Sequence, residues 1–272
     1  MEIQATGNTG ILKDKYTQLN HLTVAKKGIE GGPLLADDSF ADQYIQLRKK
    51  EGRLYSDEVV QSLPVVSSAH PQYSEWRIRK RSSDRLLKYL RKKNTSPNIL
   101  EIGCGNGWLT ARMATVTKGK VWGIDINSIE IEQARRVFGS ISNCRFIEGN
   151  IFSGVLEDNK FDFIIFAASI QYFPCLEEIL NTALSFLTLQ GEIHIMDSKL
   201  YQYKEISAAQ QRSKAYFDLT GCPGLLVYYH HHCIDNLQGF QQKVLYDPNA
   251  LLHKFVYPYH PFHWILIKNG YL

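Results

Sequence analysis

Glu101 stands two residues ahead of Gly103, and Gly103, Gly105 and Gly107 alternate with Cys104 and Asn106. Alternating glycines let a backbone turn sharply and lie against a ligand, because glycine has no side chain and tolerates positive φ. The spacing G-x-G-x-G differs from the G-x-G-x-x-G of dinucleotide sites, where a helix N-terminus takes a pyrophosphate. A carboxylate at Glu101 would repel a pyrophosphate but suits a cation. Asp125, eighteen residues past Gly107, is placed to accept hydrogen bonds from both hydroxyls of a ribose. Asn150 and Ile151, after Gly149, supply an amide for an adenine edge and an apolar neighbour for its face. Together these residues point to a ligand with a positive charge, a ribose and an adenine, and no phosphate.

Such residues act together only if a scaffold brings them to one edge. Asn98–Ile102 is predicted to be a strand and Gly107–Val116 a helix. Val121–Ile124 is a second strand ending at Asp125, and Asn127 with Glu130 predicts a capping box at the next helix. Arg145–Glu148, Phe161–Ala167 and Glu192–Asp197 are further strands, with a helix over Leu176–Leu187. Alternating strands and helices from 98 to 197 predict a parallel sheet with helices on both faces, and ligands of such sheets sit at the carboxyl ends of the strands. Farther on, Tyr201–Leu219 is predicted to be a polar helix and Leu225–His231 a strand. Val244–Tyr246 and His263–Lys268 form an antiparallel pair. Before residue 97, helices are predicted over 37–51 and 73–93, the second anchored by Trp76, Leu86, Leu87 and Leu90.

S-Adenosylmethionine carries a sulfonium, an ammonium, a ribose and an adenine, and it matches the residue set part by part. The stretch from about 97 to 200 resembles class I S-adenosylmethionine-dependent methyltransferases. LEIGCGNG (100–107) is similar to the family's first motif, GIDIN (123–127) to its second, EGNIF (148–152) to its third and FDFIIFAASIQYF (161–173) to its fourth. The resemblance implies a Rossmann-like, doubly wound, seven-stranded sheet with an antiparallel last strand, in three α/β/α layers. It places Glu101, Gly103, Cys104, Gly105, Asn106 and Gly107 at the methionine part of the cofactor. Asp125 serves the ribose, and Asn150 with Ile151 the adenine; Ile126 and Ala167 complete the implied set. The family more often has Asp where Asn150 stands.

In methyl transfer the cofactor carries the activation, and the protein aligns the acceptor and excludes water. A base is needed only where the acceptor must lose a proton. Tyr172 falls where small-molecule relatives often have His, and it is one candidate; His230 and His232 are the others. Methylases of amide or exocyclic amino nitrogens often carry Asn/Asp-Pro-Pro-Tyr at the point where this chain has Ala167-Ala168-Ser169-Ile170, so that chemistry is disfavoured. No spacing among His230, His231, His232, Cys233, His253, His260 and His263 matches a metal-ligand pattern, so no metal is expected.

The chain's 272 residues, 44% hydrophobic and 21% charged, allow one large domain with a full core. The division expected is a helical N-terminal extension or cap over 1–95 and a methyltransferase domain over 96–272, with a substrate-cap insertion at about 200–243. The cap segments should form a lid over the acceptor, with Tyr257–Phe262 an apolar wall, core or interface. Five scattered cysteines, without C-x-x-C, and an N-terminus without an apolar leader predict a cytoplasmic protein. No run approaches the roughly 18 apolar residues of a membrane span. Nine lysines and arginines between Arg77 and Lys93 could bind RNA, but Leu86, Leu87 and Leu90 predict a sheet-anchored helix with a solvated basic face. The expectation is therefore methylation of a small-molecule acceptor, with oxygen the atom favoured; an RNA or protein methyltransferase using helix 77–93 is the alternative. A homodimer is left open.

Overall fold

The computed structural model describes residues 38–93, 96–248, 250 and 260–269. Seven strands form one mixed sheet: β1 (Ile99–Ile102), β2 (Val121–Asp125), β3 (Cys144–Glu148), β4 (Phe161–Ala167), β5 (Leu187–Met196), β6 (Gln242–Tyr246) and β7 (Trp264–Lys268). Their order is β3-β2-β1-β4-β5-β7-β6. The first five are parallel, and β7 runs antiparallel to both neighbours, β5 and β6. The order reverses beside β1, between β1 and β4, and this is where a crevice opens at the carboxyl ends of an open α/β sheet.

Strand periodicity divides the core between the two faces. Ile99, Phe163 and Ile165 pack against α3 (Tyr73–Lys93), α4 (Trp108–Ala114) and α5 (Ser128–Phe138), together with the short α2 (Asp57–Ser62). Leu100, Ile102, Ile164 and Phe166 face α6 (Leu176–Ser185) and the 3₁₀ turn Ile234–Leu237. Helix α3 buries Trp76, Leu86, Leu87 and Leu90, as its spacing predicts, so it belongs to the sheet's helical layer. A third cluster lies apart from the sheet: α1 (Asp38–Lys50) packs Phe40 and Leu47 against Phe217 of α7 (Tyr203–Leu219) and against Leu225. Lys50 Nζ donates to the carbonyls of Thr220 and Gly221 at 2.8 and 3.0 Å, which joins α1 to the C-terminal end of α7.

Three local expectations are corrected. Leu225–His231 is not a strand. Pro223 begins a 3₁₀ turn over Pro223–Tyr228, and Leu225, Leu226, Tyr228 and Tyr229 all join the α1–α7 cluster instead of alternating between two faces. Strand and helix do not alternate between β3 and β4, where turns span 151–158 and buried Ile151 and Leu156 cover the sheet in place of a helix. The capping box is half formed: Asn127 Oδ1 accepts from the Glu130 amide at 3.2 Å, but the Asn127 amide donates to Asp125 Oδ1 at 2.9 Å. Of the aromatic loop, residues 257–259 lie outside the described residues. No described helix is long and apolar enough to cross a membrane.

In the middle of β5, Glu192 is buried. Its carboxylate accepts from Tyr89 Oη at 2.7 Å and Lys93 Nζ at 2.8 Å, with His194 Nε2 at 3.4 Å. Although burial works against it, His194, Lys93 and Tyr89 hold this carboxyl down at about 2 from an ordinary 4.5. A depressed folded-state value means the stabilisation is complete above pH 4.5 and fades as pH falls toward 2. Glu192→Gln is expected to cost about 1–3 kcal/mol at pH 7. Urea unfolding at pH 7 and again at pH 3 should show the gap between wild type and variant narrowing at the lower pH.

Candidate functional site

The loop after β1 turns through Gly103, Gly105 and Gly107, with φ of 75°, 53° and 76°. Two of these positions leave no room for a side chain. A methyl group on Gly103 would stand 2.5 Å from Ser169 Cβ, and one on Gly107 would stand 2.4 Å from the Phe146 ring. Ser169 Oγ donates to the Ile102 carbonyl at 2.5 Å, so the loop after β4 is fastened to the end of β1. Between these strands Ala168 holds φ at 60°, a left-handed conformation uncommon outside glycine and concentrated at functional sites.

Asp125, at the end of β2, uses both oxygens. Oδ2 accepts from the Gly105 amide at 2.8 Å and Oδ1 from the Asn127 amide at 2.9 Å. Beside it, the crevice has an apolar lobe of about 740 Å³, counting space open at its mouth. Ile126, Asn150, Ile151 and Phe173 line this lobe, together with Phe40 and Tyr44 of α1 and Tyr172 of the loop after β4. The Phe40 and Tyr172 rings meet edge to face at 5.5 Å, and Tyr44 and Tyr172 at 6.0 Å. Asn150 is partly committed already, because its Oδ1 accepts from the Phe152 amide at 2.8 Å.

A second, polar lobe of about 650 Å³ adjoins the first across Gly103 and Gly105. Glu101, Cys104, Asn106 and Ala167 line it, and the Asn106 Oδ1 is buried without a partner among the described residues. Glu101 is itself buried, accepting from Thr110 Oγ1 at 2.5 Å, and burial pushes its carboxyl up to about 8. Glu130 lines both lobes, with Oε2 2.8 Å from where a Gly105 Cβ would stand. Burial raises it first and the neighbouring Asp125 second, and burial likewise raises Asp125.

The structure therefore brings Glu101, Gly103, Cys104, Gly105, Asn106, Asp125, Ile126, Asn150, Ile151, Ala167 and Tyr172 to one crevice. Gly107 packs behind it, against Phe146 and Ala134. His230 and His232 are not on its lining. His232 Nε2 lies 3.2 Å from the Ile170 carbonyl, and burial lowers this histidine to about 4, so its ring is neutral and bonded to the loop that carries Tyr172. The His230 amide donates to the Gln171 carbonyl at 2.8 Å. Glu130, Tyr44 and the arginines of the polar lobe were missed in the sequence. Glu130 reads there as a cap residue, whereas Tyr44 and Arg48 lie on α1, Arg53 just after it and Arg79 on α3, all distant in the chain.

A sheet reversed at its last strand, a glycine loop at the switch point and a ribose-type acid on the neighbouring strand define a nucleoside-binding α/β protein whose ligand also carries positive charge. A methyltransferase domain model matches residues 91–248, and the chain belongs to that family, in its class I S-adenosylmethionine-dependent group. Over 125 residues it is 32% identical to a release factor glutamine methyltransferase of Fusobacterium nucleatum, covering 43% of this chain and 34% of that one. Over 156 residues it is 25% identical to a malonyl-[acyl-carrier protein] O-methyltransferase of Bacillus anthracis, covering 55% and 56%. The matches thus span from a third to just over half of these curated relatives' own length. The fold is similar to magnesium protoporphyrin IX methyltransferase from Synechocystis PCC 6803, solved with S-adenosylhomocysteine. The TM-score is 0.51 and the identity 12%, over 86% of this chain and 95% of that one.

The residues present fit the family's cofactor: raised carboxyls on the sheet side suit a sulfonium or ammonium, and the apolar lobe suits an adenosine. A protonated Glu101 must release its proton to pair with a cation, so affinity for S-adenosylmethionine is expected to rise with pH up to about 8. S-Adenosylhomocysteine lacks the sulfonium and should show a shallower rise; calorimetric titration of both ligands from pH 6 to 9 measures the difference. Asp125→Ala should weaken both ligands about 10–100-fold, by loss of hydrogen bonds to a charged group and of the loop's anchor.

Proposed function

We propose that this protein transfers a methyl group from S-adenosylmethionine to an oxygen of a small-molecule acceptor. The observation that carries the reading is a roof over the crevice: Phe40 and Tyr44 of α1 meet Tyr172 of the loop after β4 in mutual ring contact. A roof of this kind limits the acceptor's size and excludes water from the point of transfer. Oxygen as the acceptor atom draws support from the malonyl-[acyl-carrier protein] O-methyltransferase relative, and the absence of Asn/Asp-Pro-Pro-Tyr at Ala167–Ile170 weighs against amide nitrogen. In this reading α1 and residues 203–229 are the lid.

When bound, the cofactor supplies an activated methyl group. Glu101 and Glu130 hold positive charge near the glycine loop, Asp125 takes the ribose hydroxyls, and Ile126, Ile151 and Phe173 enclose the base. Burial raises the Tyr172 hydroxyl, which keeps it protonated at neutral pH. It therefore positions an acceptor oxygen by donating a hydrogen bond, and a proton leaving the acceptor goes to another group. His232, neutral and bound to the Ile170 carbonyl, holds the Tyr172 loop in place.

The test is formation of S-adenosylhomocysteine with a panel of hydroxyl- and carboxyl-bearing small molecules, set beside RNA and a release-factor peptide. Turnover is expected with the small molecules alone. Turnover only with RNA, lost on charge reversal at Arg77, Lys80 and Arg81, would overturn the reading. Tyr172→Phe is expected to raise KM for the acceptor about 5–15-fold with little change in kcat, the signature of lost binding rather than lost proton transfer.

A further inference from the structure

The two lobes of the crevice meet at residues that line both: Tyr44, Gly103, Gly105, Glu130 and Ala168. Two of these have no side chain and one has a single methyl group, so the junction is open. Burial raises the Tyr44 hydroxyl well above its ordinary value, and it stays neutral. Glu130 is therefore the residue of this junction that can carry charge. It arrives there from the first turn of α5. Asn127 caps that turn through the Glu130 amide, and the side chain is left to turn toward Gly105.

The three acids at this edge differ in what engages them. Asp125 commits both oxygens to backbone amides. Glu101 accepts from Thr110 Oγ1 and lines the polar lobe alone. The Glu130 carboxylate has neither a hydrogen bond nor an ion pair among the described residues. Burial and then Asp125 push it up to about 7, while Arg48 and Arg79 act the other way. Those arginines are themselves paired, Arg48 with Glu51 and Arg79 with Glu75. A carboxylate held in such a place without a counter-ion is unfavourable until a cation arrives.

The methyl donor has two cationic centres, an ammonium at its amino-acid end and a sulfonium where that end joins the adenosine. With the adenosine in the apolar lobe and the amino-acid end in the polar lobe, the sulfonium falls at the junction. We propose that Glu130 is the partner of the sulfonium and so distinguishes the methyl donor from its demethylated product, while Glu101 serves the ammonium that both share. When the methyl group leaves, the bonding electron pair stays on sulfur and the charge is gone. Glu130 is then unpaired again, which favours release of the product. This rests on the methyl-donor part of the reading above and is independent of the acceptor.

Calorimetry on the full chain at pH 8 tests it with three ligands of similar shape. S-Adenosylmethionine is charged at sulfur, S-adenosylhomocysteine is neutral there, and sinefungin carries an ammonium in place of the methylated sulfur. Glu130→Gln keeps the size of the side chain. It is expected to weaken S-adenosylmethionine and sinefungin about tenfold, leaving S-adenosylhomocysteine within about twofold of wild type. Glu101→Gln should instead weaken all three by a similar factor. Glu130→Asp, which keeps the charge, should recover part of the loss, and thermal midpoints confirm that each variant folds. Equal loss of all three ligands in Glu130→Gln, or loss of none, overturns the proposal. So does selective loss of the two charged ligands in Glu101→Gln, which would give the sulfonium to Glu101. A wild type that binds none of the three overturns the methyl-donor reading and this assignment with it.

Discussion

One carboxylate holds two backbones in register. Asp125 accepts the Gly105 amide from the β1 loop and the Asn127 amide at the head of α5, so the glycine turn and the β2–α5 turn move as a unit. Burial disfavours its charge, and the backbone amides of Asn127, Gly105 and Ile126 work in the opposite direction. The edge of the crevice is therefore shaped before any ligand arrives. Preorganisation of this kind lowers the ordering cost of binding.

A consequence is that acids crowd at this edge. Glu101, Asp125 and Glu130 come from β1, β2 and α5, and burial raises all three. Burial disfavours the charge on each, and a bound cation would offset their mutual repulsion. The opposite charge comes from Arg48 of α1, Arg53 just after it and Arg79 of α3, which pair in turn with Glu51 and Glu75. A single helix thus serves two roles: Leu86, Leu87 and Leu90 anchor α3 on the sheet while Arg79, about two to three turns earlier, reaches the crevice. Its basic run is not uniformly a solvated face.

Much of the fold was legible because burial on both faces writes a continuous apolar run. FDFIIFA reads as a central strand and is one. The antiparallel ending was legible too, on the expectation that two edge strands at the end of the chain cannot both receive a crossover helix. Leu225–His231 was not, because an apolar run fits a strand or a 3₁₀ turn equally well until its neighbours are known, and here they are α1 and α7. Glu130 was misread for a similar reason. Its position three residues after Asn127 suits a capping box, but the Asn127 amide is already taken by Asp125, so the Glu130 side chain turns to Gly105.

The sequence alone determined the glycine loop, the acid before it and the acid at the end of the second strand, because those contacts are backbone-close and demand particular residue types at fixed spacing. Only the tertiary structure decided what faces that loop across the crevice. Tyr44, Arg48, Arg53 and Arg79 lie on helices and turns folded back from earlier in the chain, and nothing local to them signals a ligand. Their meeting with Glu101 and Glu130 comes from packing: α3 sits on the sheet through Leu86, Leu87 and Leu90, and α1 is held over it by Phe217 and Leu225. Chain spacing sets which groups can line a turn; long-range burial sets which charges look at each other.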